Sequence, residues 1–150
     1  MRIYFDTSAL VKDFVDEPGS LEVKSFFKEA VLQEEIDFST SAVTKAEVHA
    51  AFSAMRRNRE LTQPKYEETL QRFEKRFRVF SIVEVLPSLI HTSGEIARDY
   101  KIKGCDAFQV ASALIDEADL IVSTDQDLNE AAKANDLRVW NPMREPIPHI

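Results

Sequence analysis

Four acidic residues occupy positions where a carboxylate needs a reason. Asp6 directly follows the apolar run Arg2-Ile3-Tyr4-Phe5, and Asp125 follows Leu120-Ile121-Val122 by way of Ser123-Thr124. Val43, Glu47, Ala50 and Ala54 recur at helical spacing, which puts a carboxylate on an apolar stripe. Asp106 opens a run in which Ala107, Val110, Ala111, Leu114, Ile115 and Ala118 form one core-facing stripe. Each acid has an ordinary reading. Asp is a favoured helix N-cap, and Ser8 could cap in place of Asp6. Glu47 on an apolar face is costly unless it is paired, metal-bound or at the helix edge. Asp6 after a first strand also suits an aspartyl nucleophile for phosphoryl transfer, but that chemistry wants a second acid two residues on, where Ser8 stands. A serine or cysteine hydrolase would need a credible histidine base. His49 lies two residues from Glu47 and so faces away from it, His91 and His149 have no partner motif, and Cys105 reads as a turn residue.

The elements that must position these acids alternate. The first apolar run is a buried strand ending in a helix-starting turn at Asp6-Thr7-Ser8, followed by a helix through Val15. After Pro18-Gly19-Ser20, the spacing of Leu21, Val23, Phe26, Phe27, Ala30 and Val31 predicts a second helix. Ile36 to Thr40 reads as a strand, Ser41 to Arg59 as a long helix, and Gln63-Pro64 as the start of another helix to Phe77. Val79 to Leu86 reads as a third strand, with a helix from Pro87-Ser88 to about Tyr100. A helix over 106–118, a strand at 120–122, a helix to about Ala134 and a strand over 137–140 complete the order. Short apolar strands separated by helices imply an α/β fold, a three-layer α/β/α sandwich on a mainly parallel sheet. Ligands in such folds gather beyond the carboxyl ends of the strands, the rim where Asp6 and Asp125 fall. Residues 1–140 read as one domain and 141–150 as an irregular, Pro-rich tail.

At 150 residues and 44% hydrophobic content, the chain suffices for one substantial core. No run approaches the length of a membrane span, and Asp6, Lys12 and Asp13 interrupt the stretch where a signal peptide would need apolar residues, so a cytoplasmic protein is expected. One cysteine excludes an internal disulfide and a Cys-rich zinc site. The net charge of -7 is unevenly spread. Residues 55–78 carry eight basic side chains (Arg56, Arg57, Arg59, Lys65, Arg72, Lys75, Arg76 and Arg78) against four acids, a local balance of +4. This tract is either a solvated helical face or a landing strip for phosphates.

The motifs Asp6-Thr7-Ser8-Ala9-Leu10, Ser41-Ala42-Val43-Thr44-Lys45-Ala46-Glu47-Val48, Asp106-Ala107-Phe108-Gln109-Val110-Ala111-Ser112-Ala113 and Val122-Ser123-Thr124-Asp125-Gln126-Asp127-Leu128 follow in an order and spacing that resembles the PIN-domain nucleases. The similarity is greatest to the VapC-like toxins of toxin–antitoxin pairs, and it extends over nearly the whole chain.

The resemblance implies that Asp6, Glu47, Asp106 and Asp125 are catalytic carboxylates holding Mg²⁺ or Mn²⁺, with Ser8 and Thr124 as supporting hydroxyls and Asp127 as an auxiliary acid. It implies an endoribonuclease acting as a toxin, RNA as substrate, a cognate antitoxin protein as partner, and a homodimer. Arg56, Arg57, Arg59, Arg72, Lys75 and Arg76 are the candidate contacts to the RNA backbone. The alternative is a PIN-like RNA-binding or assembly module without catalysis. Hard oxygen ligands suit the expected chemistry, since such ions polarise a phosphate and lower the pKa of a bound water.

Overall fold

A computed structural model describes residues 1–149, so the last residue of the predicted tail, Ile150, lies outside the described residues. Within them, five strands form one sheet in the order β3-β2-β1-β4-β5, and every neighbouring pair is parallel. The strands are β1 (Arg2–Phe5), β2 (Asp37–Ser41), β3 (Ser81–Val83), β4 (Leu120–Val122) and β5 (Val139–Trp140). Seven helices connect them: α1 (Thr7–Leu10), α2 (Ser20–Ala30), α3 (Ala42–Arg57), α4 (Gln63–Phe77), α5 (Pro87–Asp99), α6 (Gly104–Ile115) and α7 (Gln126–Ala134).

Strand alternation divides the core in two. Ile3 and Phe5 of β1 and Leu120 and Val122 of β4 face one side, with Phe26 and Phe27 of α2, Val48 and Phe52 of α3 and Phe73 of α4. Tyr4 and Ile121, one residue out of phase, face the other, with Leu89 and Ile96 of α5, Val110 of α6 and Leu128 of α7. The sheet lies between two helical layers, as its strand pattern predicts. The first core is unusually aromatic: Phe5 stacks on Phe27 at 4.4 Å between centroids, and Phe26 meets Trp140 at 4.7 Å.

From β1 the chain builds outward through β2 and β3, then returns to place β4 on the other side of β1. The strand order therefore reverses between β1 and β4, and a crevice opens beyond their carboxyl ends. Asp6 leaves β1 there, its backbone N–H donating to the Val122 carbonyl at 3.0 Å.

Some elements differ from their sequence patterns. The third strand is only Ser81–Val83, because the flanking apolar residues Val79, Val85 and Leu86 are exposed at the sheet edge. The helix after Asp6 is one turn of α-helix followed by a 3₁₀ turn at Val11–Asp13. On α6, Ile115 is 45% exposed and Gln109 takes a buried place instead. The segment after Trp140 has no helix or strand through His149, but it is tied down: the indole N–H of Trp140 donates to the Glu145 carbonyl at 3.3 Å, and Ile147 packs on the first core.

Candidate active site

Asp6, Glu47, Asp106 and Asp125 line one open cleft of about 360 Å³, together with Thr7, Ser8, Lys12, Glu17 and Thr124. Four elements deliver the acids. Asp6 and Asp125 are the N-caps of α1 and α7, Glu47 projects from the second turn of α3, and Asp106 lies in the first turn of α6.

Asp6 and Asp125 each cap a helix and line the cleft at the same time. Asp6 takes the Ser8 N–H on Oδ2, and Asp125 takes the Leu128 N–H on Oδ1 at 2.9 Å. The second oxygen of each accepts no hydrogen bond among the described residues. Asp6 Oδ2 also accepts from the Ser8 hydroxyl at 2.5 Å and the Ser123 hydroxyl at 3.0 Å. Ser8 Oγ in turn accepts the Thr124 N–H at 3.0 Å, which joins the loops after β1 and β4.

Glu47 is held differently from its predicted stripe. Ala50 is exposed, and the buried face of α3 carries Thr44, Val48 and Phe52. Glu47 stands at the edge of that face, half-buried, so it is directed to the cleft without the cost of full burial. Its Oε2 accepts from the Thr7 hydroxyl at 2.5 Å and from Nε2 of Gln109 at 2.6 Å. Gln109 is buried, and its Oε1 accepts from the Tyr4 hydroxyl at 2.6 Å. A polar chain thus runs through the sheet's second core to the rim.

The electrostatics follow first from burial and then from the neighbouring charges. Burial pushes Asp6 up to about 6; hydrogen bonds from Ser8 and Ser123 oppose the rise, and the Glu47 charge adds to it. Asp106 is also held above the usual carboxylate range, first by burial and then by the Asp125 charge, with Lys103 opposing. Asp106 accepts no hydrogen bond among the described residues, so its side chain is the least constrained of the four.

Among the described residues, no three His, Cys, Asp or Glu side chains stand close enough together to hold a metal ion as they are placed. The donor set nonetheless fits a hard divalent cation: four carboxylates share one cleft, and two of them are pushed toward the neutral form, a penalty that a cation bound in the cleft would relieve.

Other candidates separate here. Ser8 and Thr124 line the cleft, but the hydroxyl that supports Asp6 beside Ser8 belongs to Ser123, one residue before Thr124. Ser123, Gln109 and Thr7 had no signal in the sequence beyond lying inside its motifs. Asp127 is exposed and does not line the cleft, although its charge reaches Asp106. In the basic tract, Arg76 forms an ion pair with buried Asp13 at 3.0 Å and lies 5.0 Å from the Phe27 ring centroid. Arg72 reaches the Asp13 carbonyl at 3.4 Å and lies over Phe14. These two arginines fasten α4 to the 3₁₀ turn; Arg76 is partly buried, whereas Arg72, like Arg56, Arg57, Arg59 and Lys75, remains exposed. Arg56 covers the Tyr66 ring at 4.9 Å. His49 pairs with Glu74 of α4 at 3.0 Å, on the side away from the acids.

Known proteins share both pattern and fold. The PIN domain family matches residues 3–134. Ribonuclease VapC45 of Mycobacterium tuberculosis (strain CDC 1551 / Oshkosh) is 30% identical over 148 residues, covering 96% of this chain and 98% of that protein. FitAcB from Neisseria gonorrhoeae superposes with a TM-score of 0.72 at 19% identity, over 95% of this chain and 99% of that one. A toxin-antitoxin complex from Klebsiella pneumoniae gives 0.66 at 18% identity, over 93% and 97%. At such identities the two structures speak for the fold alone.

Proposed function

The chain belongs to the PIN-domain family, and we propose that it is a metal-dependent endoribonuclease, the toxin of a toxin–antitoxin pair, acting in the cytoplasm. The observation that carries this reading is the convergence of Asp6, Glu47, Asp106 and Asp125 from four separate elements on one cleft at the strand-order reversal. A ribonuclease name on a relative that spans nearly the full chain supports RNA as the substrate, and the toxin-antitoxin likeness supports the partner.

The four carboxylates would hold Mg²⁺ or Mn²⁺, which when bound supplies a Lewis acid for the phosphate and a water of lowered pKa. The chain's own groups do the rest. Ser8 and Ser123 fix Oδ2 of Asp6, and Thr7 and Gln109 fix Oε2 of Glu47, so two donors are pre-set before substrate arrives. Asp6, pushed up to about 6 by burial, is mostly ionised at neutral pH and would have to release a proton on cation binding only below that range. The exposed Arg56, Arg57, Arg59 and Lys75 offer charge to the RNA backbone outside the cleft. Exposed Val79, Ile82, Val85, Leu86 and Ile90 around the edge strand β3 support a second copy of the chain as partner in a homodimer.

Incubating the purified protein with total cellular RNA, with Mg²⁺ or Mn²⁺ and with EDTA, tests the proposal. Discrete cleavage that EDTA abolishes is expected. Intact RNA under all conditions would overturn it in favour of a module that binds without cutting.

A further inference from the structure

We infer that Lys12 grips a phosphate of the RNA in the cleft, an assignment that rests on the nuclease reading above. Lysine is almost never fully buried unless it is paired, yet Lys12 is 5% exposed. It sits in the 3₁₀ turn six residues after Asp6, and its ammonium lies 2.8 Å from Oε1 of Glu17. Both side chains line the same cleft as the four acids. Among the described residues lining it there are five carboxylates and one cation, and the cation is Lys12. A phosphodiester entering that cleft meets strong repulsion, and Lys12 is the fixed charge on the protein that can offset it.

Its placement is suited to the task. The lysine stem runs beneath Gly19, whose φ of +87° holds the backbone so close that a Cβ there would come within 3.3 Å of Lys12 Cδ. A pinned stem loses little further rotamer freedom when a ligand binds. An ammonium has three N–H donors. Glu17 takes one, and no other protein acceptor among the described residues takes the remaining two. Lysine serves phosphates as a point charge, without needing the fork geometry of arginine.

The competing explanation is that Lys12 only neutralises Glu17. A charge-balanced double substitution separates the two. The full chain in Ca²⁺ is titrated with a labelled, mixed-sequence single-stranded oligoribonucleotide at several salt concentrations, with a gel check that the RNA stays intact and circular dichroism on every variant. Lys12→Met, which keeps the packed stem, should lower the slope of log K against log salt by about 0.7, the share of one phosphate contact on a single strand. Lys12→Met/Glu17→Gln, which leaves no unpaired acid and the same net charge as the wild type, should show the same loss, and Glu17→Gln alone should keep the full slope. An unchanged slope in Lys12→Met, or wild-type binding in the double variant, would overturn the assignment while leaving the nuclease reading intact. A wild-type protein that binds no RNA at any salt would overturn both.

Discussion

Replacing Asp6 by Asn should make the metal-free protein more stable, and the gain should depend on pH. Asp6 is 4% exposed and its pKa rises from 3.8 to about 6, mainly through burial. A folded-state pKa above the unfolded one means that the native state binds the proton more tightly. Its stabilising effect is complete below about pH 4 and is lost as pH rises through 6. Above pH 6 the buried charge costs on the order of 3 kcal/mol, at about 1.4 kcal/mol per pH unit of displacement. Asn is neutral throughout, and its Oδ1 can accept the bonds that Ser8 and Ser123 make to Asp6 Oδ2, though neutral acceptors bind less strongly. A net gain of about 1–2 kcal/mol remains, or roughly 2–8 °C in Tm for a domain of this size. Thermal unfolding by circular dichroism in EDTA at pH 4 and pH 8 measures it. The variant should melt higher than the wild type at pH 8 and level with it at pH 4. Equal melting at pH 8, or the same difference at both pH values, would refute the burial argument.

Other perturbations test the positioning network and the basic tract. Gln109→Leu strands the buried Tyr4 hydroxyl and frees Glu47, so denaturant unfolding should show a loss of about 2–4 kcal/mol and RNA cleavage should fall with it. Arg76→Ala leaves buried Asp13 unpaired and should cost about 3 kcal/mol by the same measurement. Arg57→Glu and Arg59→Glu should leave stability within about 0.5 kcal/mol and instead reduce the salt dependence of RNA binding. Gly19→Ala forces a side chain into the left-handed region against Met143 and should destabilise the fold by about 1–2 kcal/mol in thermal melts.

Asp6 and Asp125 were legible because a parallel strand must release its chain at one rim, and an acid there meets a helix start. That logic does not choose between a cap and a site, and in the structure it need not, because a cap uses one oxygen and leaves the other. Glu47 faces the cleft for a reason other than its alanine stripe. Alanine is small enough to be exposed at little cost, so Ala50 marked the wrong face, while Thr44, whose hydroxyl finds partners in the polar chain, joined the buried one. Ser123 and Gln109 act on residues 117 and 62 positions away in sequence, contacts that no local pattern encodes. Arg72 and Arg76 show the same limit from the other side. A run of cations looks alike in sequence whether it faces solvent or fastens a helix over a buried aspartate.

The central claim is that the four acids act together on one divalent cation site. Calorimetric titration of the full chain with Mn²⁺ at pH 5.5, below the Asp6 value of about 6 so that a proton is there to be displaced, tests it most directly, in two buffers of different ionisation enthalpy so that proton release is counted. Wild-type protein should bind Mn²⁺ and release protons, whereas Asp6→Asn and Asp106→Asn, both folded by circular dichroism, should bind at least tenfold more weakly. Mn²⁺ binding of equal strength in all three proteins, or none in the wild type, would contradict the account.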